Sequence, residues 1–278
     1  MFIKFKEIFN DEYTVFSVIV TVTSLANIIS SLEWLALYNH FKDDRIFSWN
    51  VKKTSSKIFS KSKFYNYLFG YPNILLLIFC QIVISILVPF VTENRLLLCM
   101  ACFAASLLSI SFSVRNDSRF SGADQMNKIV FITVAICLIS SSKWIWQLGL
   151  FFMSGQIIIA YCTPGYLRIF EPSWHNNIAL TNILRLHTFS RPFAWEFVKS
   201  NPRVAKLISI GLIIFECSFL IAWLLPFNYL LLFLGFGVVF HIFNAIIMGL
   251  NNFTGSFIAT YPSYIWFSTY LRHILKVE

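Results

Sequence analysis

Long apolar runs separated by short polar segments dominate the chain. Each run lasts about 17–25 residues, the length that an α-helix needs to cross the hydrocarbon core of a bilayer. The pattern predicts an all-α fold, a polytopic transmembrane helical bundle of about eight spans with interfacial amphipathic helices, in a single domain covering residues 1–278. The predicted spans are Thr14–Leu37, Asn73–Val91, Leu96–Phe112, Ile129–Trp146, Leu148–Pro164, Val204–Leu225, Tyr229–Leu250 and Phe253–Leu271.

The eighth run is weaker than the others because polar and helix-breaking residues interrupt it. Gly255 and Pro262 lie inside it, together with several serines and threonines. Such a segment is either a complete span or a broken, re-entrant one. Irregular backbone at membrane depth is tolerated only where protein or water surrounds it.

Two segments between spans combine charge with aromatic side chains. Residues 38–70 are basic, and their later part, KIFSKSKFYNYLF, predicts an amphipathic helix lying on the membrane surface. Residues 165–203 form a second interfacial segment. Within it Ser190 is predicted to cap a short helix that runs to Lys199, and Asn201, followed by a proline, is predicted to cap span 6.

Composition supports membrane insertion. Of the 278 residues 57% are hydrophobic and 13% are charged, whereas soluble domains carry about 25% charged residues. The formal net charge of +9 fits an anionic lipid surface better than nucleic acid, because no separate basic domain is present. We therefore predict an integral membrane protein whose partners include membrane lipids and do not include nucleic acid.

The polar segments are expected to collect on one side of the membrane. With eight spans, the loops after spans 1, 3, 5 and 7 share a side, which holds the basic segment 38–70, the GADQM loop and the segment 165–203. The positive-inside rule predicts that this side is cytoplasmic. The family resemblance given below implies the opposite orientation.

Glu216 and His241 are the candidate catalytic residues. Each lies inside an apolar span, at a similar distance from the turn that joins spans 6 and 7, so an antiparallel hairpin brings them to a similar depth. A buried carboxylate beside an imidazole can move protons or hold a polar ligand. The alternative is a structural hydrogen-bonded pair that locks the hairpin.

Three further residues are candidates for substrate binding. Asn244 follows His241 by three positions, which places both on one helix face. Asp124 lies at the start of span 4, where the alternative role is that of a first-turn acid at a helix N-terminus. Arg168 lies in YLRIFEPSW, where the alternative is a side chain that reaches lipid phosphates from the helix end.

Common catalytic and metal-binding motifs are absent from the sequence. It contains no H-x-x-x-H spacing, no phosphate-binding glycine loop and no G-x-S-x-G, so ATP-driven, serine-hydrolase and metal-dependent functions lose support. The six cysteines mostly lie in apolar runs and are expected to behave as small buried hydrophobes.

The order of several motifs resembles a known family. They are FKDDRIFSWNV after span 1, GADQM before span 4, YLRIFEPSWHNNIAL after span 5, a glutamate in span 6, and then FHIFNAIIMGLNNFTGSFIATYP. Over residues 12–275 this pattern resembles the HTTM superfamily, the membrane domain shared with vitamin K-dependent gamma-carboxylase. The segment from His241 through Gly249 to Phe253 is the most specific part.

The resemblance implies a membrane fold and, in the carboxylase, a vitamin K cofactor whose hydroquinone is deprotonated by a lysine just before the tryptophan that matches Trp174. Here that stretch has Arg168 and no lysine. A guanidinium stays protonated and is a poor base, so carboxylation itself is not expected. A quinone cofactor is implied by the resemblance alone.

The chain is more similar to the small bacterial members, one of which matures a sporulation-delaying peptide toxin. This similarity implies a role in the bacterial cytoplasmic membrane, in maturing or modifying a secreted peptide or a lipid-soluble substrate, with a small secreted peptide or a membrane or periplasmic protein as partner. The alternative is a non-enzymatic partner subunit, an immunity protein or a small transporter.

Overall fold

The computed structural model describes residues 9, 11–54, 61–116, 122–186 and 190–276, and within these ranges the regular secondary structure is helical, without a strand. The α-helices are α1 (Glu12–Ala36), α2 (Trp49–Lys52), α3 (Lys63–Phe69), α4 (Asn73–Leu87), α5 (Arg95–Asn116), α6 (Gly122–Ile139), α7 (Lys143–Phe170), α8 (Pro172–His175), α9 (Ile178–Arg185), α10 (Pro192–Ser200), α11 (Pro202–Ser218), α12 (Phe227–Met248), α13 (Asn251–Ile258) and α14 (Tyr261–Leu275). Short 3-10 turns occupy Tyr38–Phe41, Val88–Val91 and Ala222–Leu224.

The chain divides into two compact units. The first unit comprises residues 11–149 and 255–259, and the second comprises residues 150–254 and 260–276 together with Phe9. The single domain expected from the sequence stays a prediction, and the two units are described separately below.

Within the described ranges, six helices are long and apolar enough to cross a membrane. They are Glu12–Ala36, Asn73–Val91, Arg95–Asn116, Gly122–Ile139, Lys143–Phe170 and Phe227–Met248. These correspond to predicted spans 1–5 and 7, and their outer faces expose many large apolar side chains, as expected for surfaces in contact with lipid. The helical class is therefore confirmed, and six of the predicted spans are helices long and apolar enough to cross a membrane.

Predicted spans 6 and 8 differ from this set. The sixth was expected to reach Leu225, but α11 ends at Ser218 and a 3-10 turn follows. The eighth is divided into α13 and α14, with Ala259 and Thr260 between them. Of the two forms that the sequence left open, the structure shows the interrupted one, while a count of eight spans stays a prediction.

Both ends of span 4 were predicted wrongly. The GADQM segment, expected to be a loop, forms the first turn of α6, and that helix ends at Ile139 rather than at Trp146. The indole nitrogen of Trp146 donates to the carbonyl oxygens of Cys137 and Ser140, at 3.0 and 2.8 Å. Because carbonyls at a helix C-terminus lack partners within the helix, the Trp146 side chain stabilises the end of α6 from the next helix.

Helix α7 continues beyond Pro164, where the predicted span 5 stopped. A proline removes one backbone donor, but the helix on either side retains its other hydrogen bonds. The helix therefore reaches Phe170 and brings Arg168 into the same element as the apolar span.

The segment 165–203 contains the end of α7 followed by three short helices, α8 to α10. Arg191, and not Ser190, occupies the N-cap position of α10, because Pro192 is the first helical residue. Asn201 precedes the proline that starts α11, as predicted, although its side-chain amide donates back to the Phe197 carbonyl at 2.9 Å.

The basic segment packs partly into the first unit. Phe41, Trp49 and Phe69 are buried in one apolar cluster with residues of α4, and the Trp49 indole donates to the Asn66 side chain at 2.7 Å. Of the predicted surface helix only Lys63–Phe69 is seen, since residues 57–60 lie outside the described ranges.

Candidate functional site

One face of α7 presents polar groups in the second unit. Tyr161, Gly165 and Arg168 are four and three residues apart, a spacing that places them on one side of a helix. A Cβ atom on Gly165 would lie 2.9 Å from both the Cys217 sulfur and the Glu216 Cβ atom. Glycine at this position therefore allows α11 to lie close against α7.

Arg168 and Glu216 form an ion pair across this contact. The Glu216 side chain is 5% exposed and the Arg168 side chain 22% exposed. The guanidinium carbon lies 4.3 Å from the centroid of the Trp174 ring, within the range of a cation–π interaction. The carboxylate balances the guanidinium charge, which is the arrangement that makes a buried charge tolerable.

His241 belongs to a second polar group next to this pair. The Tyr161 hydroxyl is 2.5 Å from His241 Nε2 and 2.7 Å from the Tyr261 hydroxyl, and all three residues are buried. Helices α7, α12 and α14 each contribute one member. Three hydrogen-bonding groups in series, each able to donate and accept, can transmit a proton shift between their ends.

Gly237 provides the space for this chain of hydrogen bonds. A Cβ atom there would lie 2.1 Å from the Tyr261 hydroxyl oxygen. Gly237 precedes His241 by four residues on α12, so it lies on the same face one turn earlier. The close approach of Tyr261 to α12 depends on the absence of a side chain.

The ion pair and the Tyr161 group share the interface between α7 and α11. The Phe219 ring stacks on Tyr161, with centroids 3.7 Å apart and planes 5° apart, and it follows Glu216 by three residues. The Cys162 sulfur is 3.6 Å from the Glu216 carbonyl oxygen. The two polar groups therefore occupy neighbouring positions along one helix–helix contact.

The structure gives the two predicted catalytic residues different partners. Glu216 and His241 were expected to pair across the hairpin of spans 6 and 7. In the structure Glu216 contacts Arg168, and His241 contacts Tyr161. A third helix, α7, supplies both Arg168 and Tyr161. The pairing expected from the hairpin did not include this helix.

The remaining candidates lie elsewhere. Asn244 is half-buried on α12, one turn after His241, and its backbone carbonyl accepts from the Leu250 N–H at 3.4 Å where the helix ends. Asp124 is half-buried in the first turn of α6 and belongs to the first unit. Glu216, His241, Arg168 and Asn244 thus share the second unit, and Asp124 does not.

Three contributors were missed by the sequence argument. Tyr161 and Tyr261 lie in apolar stretches where tyrosine is common, and Trp174 was noted only as part of a motif. The available signal was the seven-residue separation of Tyr161 and Arg168, which indicates one helix face. Among the described residues, no group of three histidine, cysteine or acidic side chains could hold a metal ion.

The comparisons with known proteins add no relative, since no family model, no curated protein and no solved structure matches the chain.

Proposed function

We propose that the protein is an HTTM-like integral membrane factor that matures or modifies a secreted peptide or a lipid-soluble substrate, with its working site in the second unit. The observation that supports this most strongly is the buried Arg168–Glu216 pair beside the Tyr161–His241–Tyr261 chain. Ionisable groups among apolar helices cost free energy and commonly mark functional sites in membrane proteins. The proposed location is the bacterial cytoplasmic membrane.

Each group has a role in the proposed function. Arg168 is the binding group for a substrate carboxylate or another anion, since a guanidinium offers paired donors in a fixed plane. Glu216 balances its charge when no substrate is bound, and a substrate anion would compete with that carboxylate. His241 accepts or returns a proton through Tyr161, and Asn244 is placed one turn further along α12.

Carboxylation by the route of the related carboxylase is not proposed. A guanidinium is a poor base, and Arg168 already contacts Glu216, so it does not replace the lysine base that a vitamin K hydroquinone requires there. The residues present thus do not fit that cofactor chemistry, and no step through a quinone is derived.

The test compares two variants of the site with two matched controls. Glu216→Gln and His241→Ala are made beside Glu196→Gln and His273→Ala, whose side chains are exposed. Small peptides encoded near the gene are the candidate precursors; each variant is expressed with them, and the mass of each secreted peptide is measured. The proposal expects loss of the mass change in both site variants, at normal membrane levels, and none in the controls.

A non-enzymatic role is the second candidate, because Arg168 and Glu216 contact each other and Tyr161 contacts both His241 and Tyr261. Such mutual contacts are also what a helix-locking network requires. A partner subunit, an immunity protein or a small transporter would keep an unchanged peptide mass in every variant. Loss of the protein itself in the Glu216 and His241 variants would assign the groups to stability.

A further inference from the structure

The first unit contains a polar cavity that is separate from the Arg168–Glu216 pair and the Tyr161–His241–Tyr261 chain, and the candidate residue Asp124 lines it. It lies among α1, α4, α5 and α6 and has a volume of about 30 Å³. Its polar lining includes Asn27, Ser31, Gln81, Ser109, Ser113 and Asp124. Such a concentration of hydroxyl and amide groups is unusual among helices that are otherwise apolar.

The cavity reaches into the body of the bundle from one end of the helices. Asn116, the last residue of α5, and Asp124, in the first turn of α6, line its outer part. Ser109 lies seven residues before Asn116, which corresponds to about 10 Å along a helix. Gln81, in the middle of α4, lines the inner part.

Two buried side chains in this cavity have one polar atom without a partner. Asn27 is 3% exposed; its Oδ1 accepts from the Asn127 side chain at 3.2 Å, and its Nδ2 has no partner. Gln81 is 7% exposed; its Nε2 donates to the Ser109 hydroxyl at 3.5 Å, and its Oε1 has no partner. The cavity therefore offers one unused donor and one unused acceptor.

An unused donor and an unused acceptor define the ligand chemistry. A buried polar atom without a partner loses its hydration and gains nothing in return, so an occupant that satisfies both atoms is favoured. A water molecule needs at least about 10–15 Å³ of such space and several polar partners. The volume therefore suits one small group and is too small for a whole large ligand.

The local charges favour a neutral occupant. Asp124 lines the cavity, and Lys128 lies one turn later on α6, so their charges are close together and of opposite sign. The Lys128 ammonium donates to the Ser113 hydroxyl, another lining residue, at 3.0 Å. The buried Arg115 adds a positive charge nearby, but its guanidinium already donates to the Asn116 side chain at 2.8 Å and to the Phe47 carbonyl, so an anion would have to compete with these contacts.

A second recess on α5 and α6 shows that size alone does not select the site. It is larger, about 380 Å³, and its lining is apolar except for residues such as Ser106 and Cys99. The Ser106 hydroxyl donates to the Phe103 carbonyl within its own helix, so its donor already has a partner without a ligand.

We propose that the cavity of the first unit binds a small neutral group that both donates and accepts hydrogen bonds, through Asn27 and Gln81. Two sources share this chemistry: water, and the amide or hydroxyl group of a larger molecule. When no larger molecule is bound, water fills the cavity and makes it a hydrated entrance into an otherwise apolar bundle.

The test measures hydration of the whole protein in lipid nanodiscs by hydroxyl-radical labelling. Phe112 lines the cavity and is 8% exposed, whereas Phe257, in the same unit, does not line it and is 7% exposed. Because the two rings have the same intrinsic reactivity, bound water should make Phe112 react several times faster than Phe257. Equal rates would overturn the proposal.

A variant pair links the labelling to the polar atoms. Gln81→Leu removes the unused acceptor at nearly constant volume, and it should lower the Phe112 rate toward that of Phe257. Ser106→Ala on α5 is the matched control and should leave the Phe112 rate unchanged. An unchanged rate in Gln81→Leu would count against the proposal, and if that variant fails to fold, the comparison of Phe112 with Phe257 in the unaltered protein still decides.

A second arm distinguishes the two sources with formamide, formate and ammonium as probes. The ratio of Phe112 to Phe257 labelling corrects for radical scavenging by the probe. Protection of Phe112 by formamide alone would support an amide-bearing ligand, and absence of protection by all three would support water. Protection by formate or ammonium as strong as that by formamide would overturn the neutral specificity.

Discussion

Arg168 on α7 and Glu216 on α11 form an ion pair inside the second unit, and the Arg168 guanidinium also stacks on Trp174. Arg168 therefore joins the end of α7 both to α11 and to the short helix α8. Removing one partner of a buried ion pair is costly, because the remaining charge is then buried without a counterion.

Removing both members of the pair should destabilise the protein by less than the sum of the two single removals. Glu216→Gln leaves the Arg168 charge without its counterion, with an expected loss of about 1–3 kcal/mol, moderated because Arg168 is partly exposed. The double variant Arg168→Met with Glu216→Gln should lose less than the sum of the single losses. Unfolding of purified protein in detergent measures the coupling, and additive losses would show that the contact contributes little.

Tyr161→Phe should destabilise the second unit. The change removes the hydroxyl that contacts His241 and Tyr261, and leaves these buried groups short of a hydrogen bond, at a cost of about 1–3 kcal/mol. Tyr166→Phe is the control, because Tyr166 lies on the same helix and is exposed, and should change stability by less than about 0.5 kcal/mol. Equal midpoints of thermal unfolding for the two variants would contradict the role of the hydroxyl.

Gly237→Ala should destabilise the second unit although it adds only one methyl group. The new Cβ would meet the Tyr261 hydroxyl at 2.1 Å, so the tyrosine must move away from Tyr161, at a cost of about 1–3 kcal/mol. Gly235→Ala, two residues earlier on α12, meets nothing within 4 Å and should be neutral or stabilising by up to about 1 kcal/mol. Thermal unfolding of both variants provides the comparison. The midpoint temperature of Gly235→Ala is expected to be higher than that of Gly237→Ala.

Gly255→Ala should weaken the packing of α13 in the first unit. A Cβ there would lie 2.4 Å from the Ala26 Cβ atom and 3.1 Å from its Cα atom, which cannot move without α1. We expect a loss of about 1–3 kcal/mol from this overpacking. Gly155→Ala, with open space around it, is the control; if both variants unfold at the same temperature, the close contact of Gly255 with α1 is not important for stability.

The sequence could predict which segments form apolar spans. It predicted less well the residues at which those helices begin and end. Six apolar runs became helices of membrane-spanning length, because backbone groups that face lipid must be satisfied within their own segment. The end of α6 was misplaced because the partner of its carbonyls is the Trp146 side chain on the next helix. Local propensity contains no information about a cap that comes from another element.

By itself the sequence determined the helical class, the apolar spans and the presence of a buried acid and a buried histidine, since each depends on hydrophobicity summed along one segment. Only the tertiary structure decided that Glu216 contacts Arg168, that His241 contacts Tyr161, and that Asn27 and Gln81 line one cavity. The physical reason is that a polar side chain among apolar helices takes the partner that a neighbouring helix face presents, and helix packing sets which faces meet.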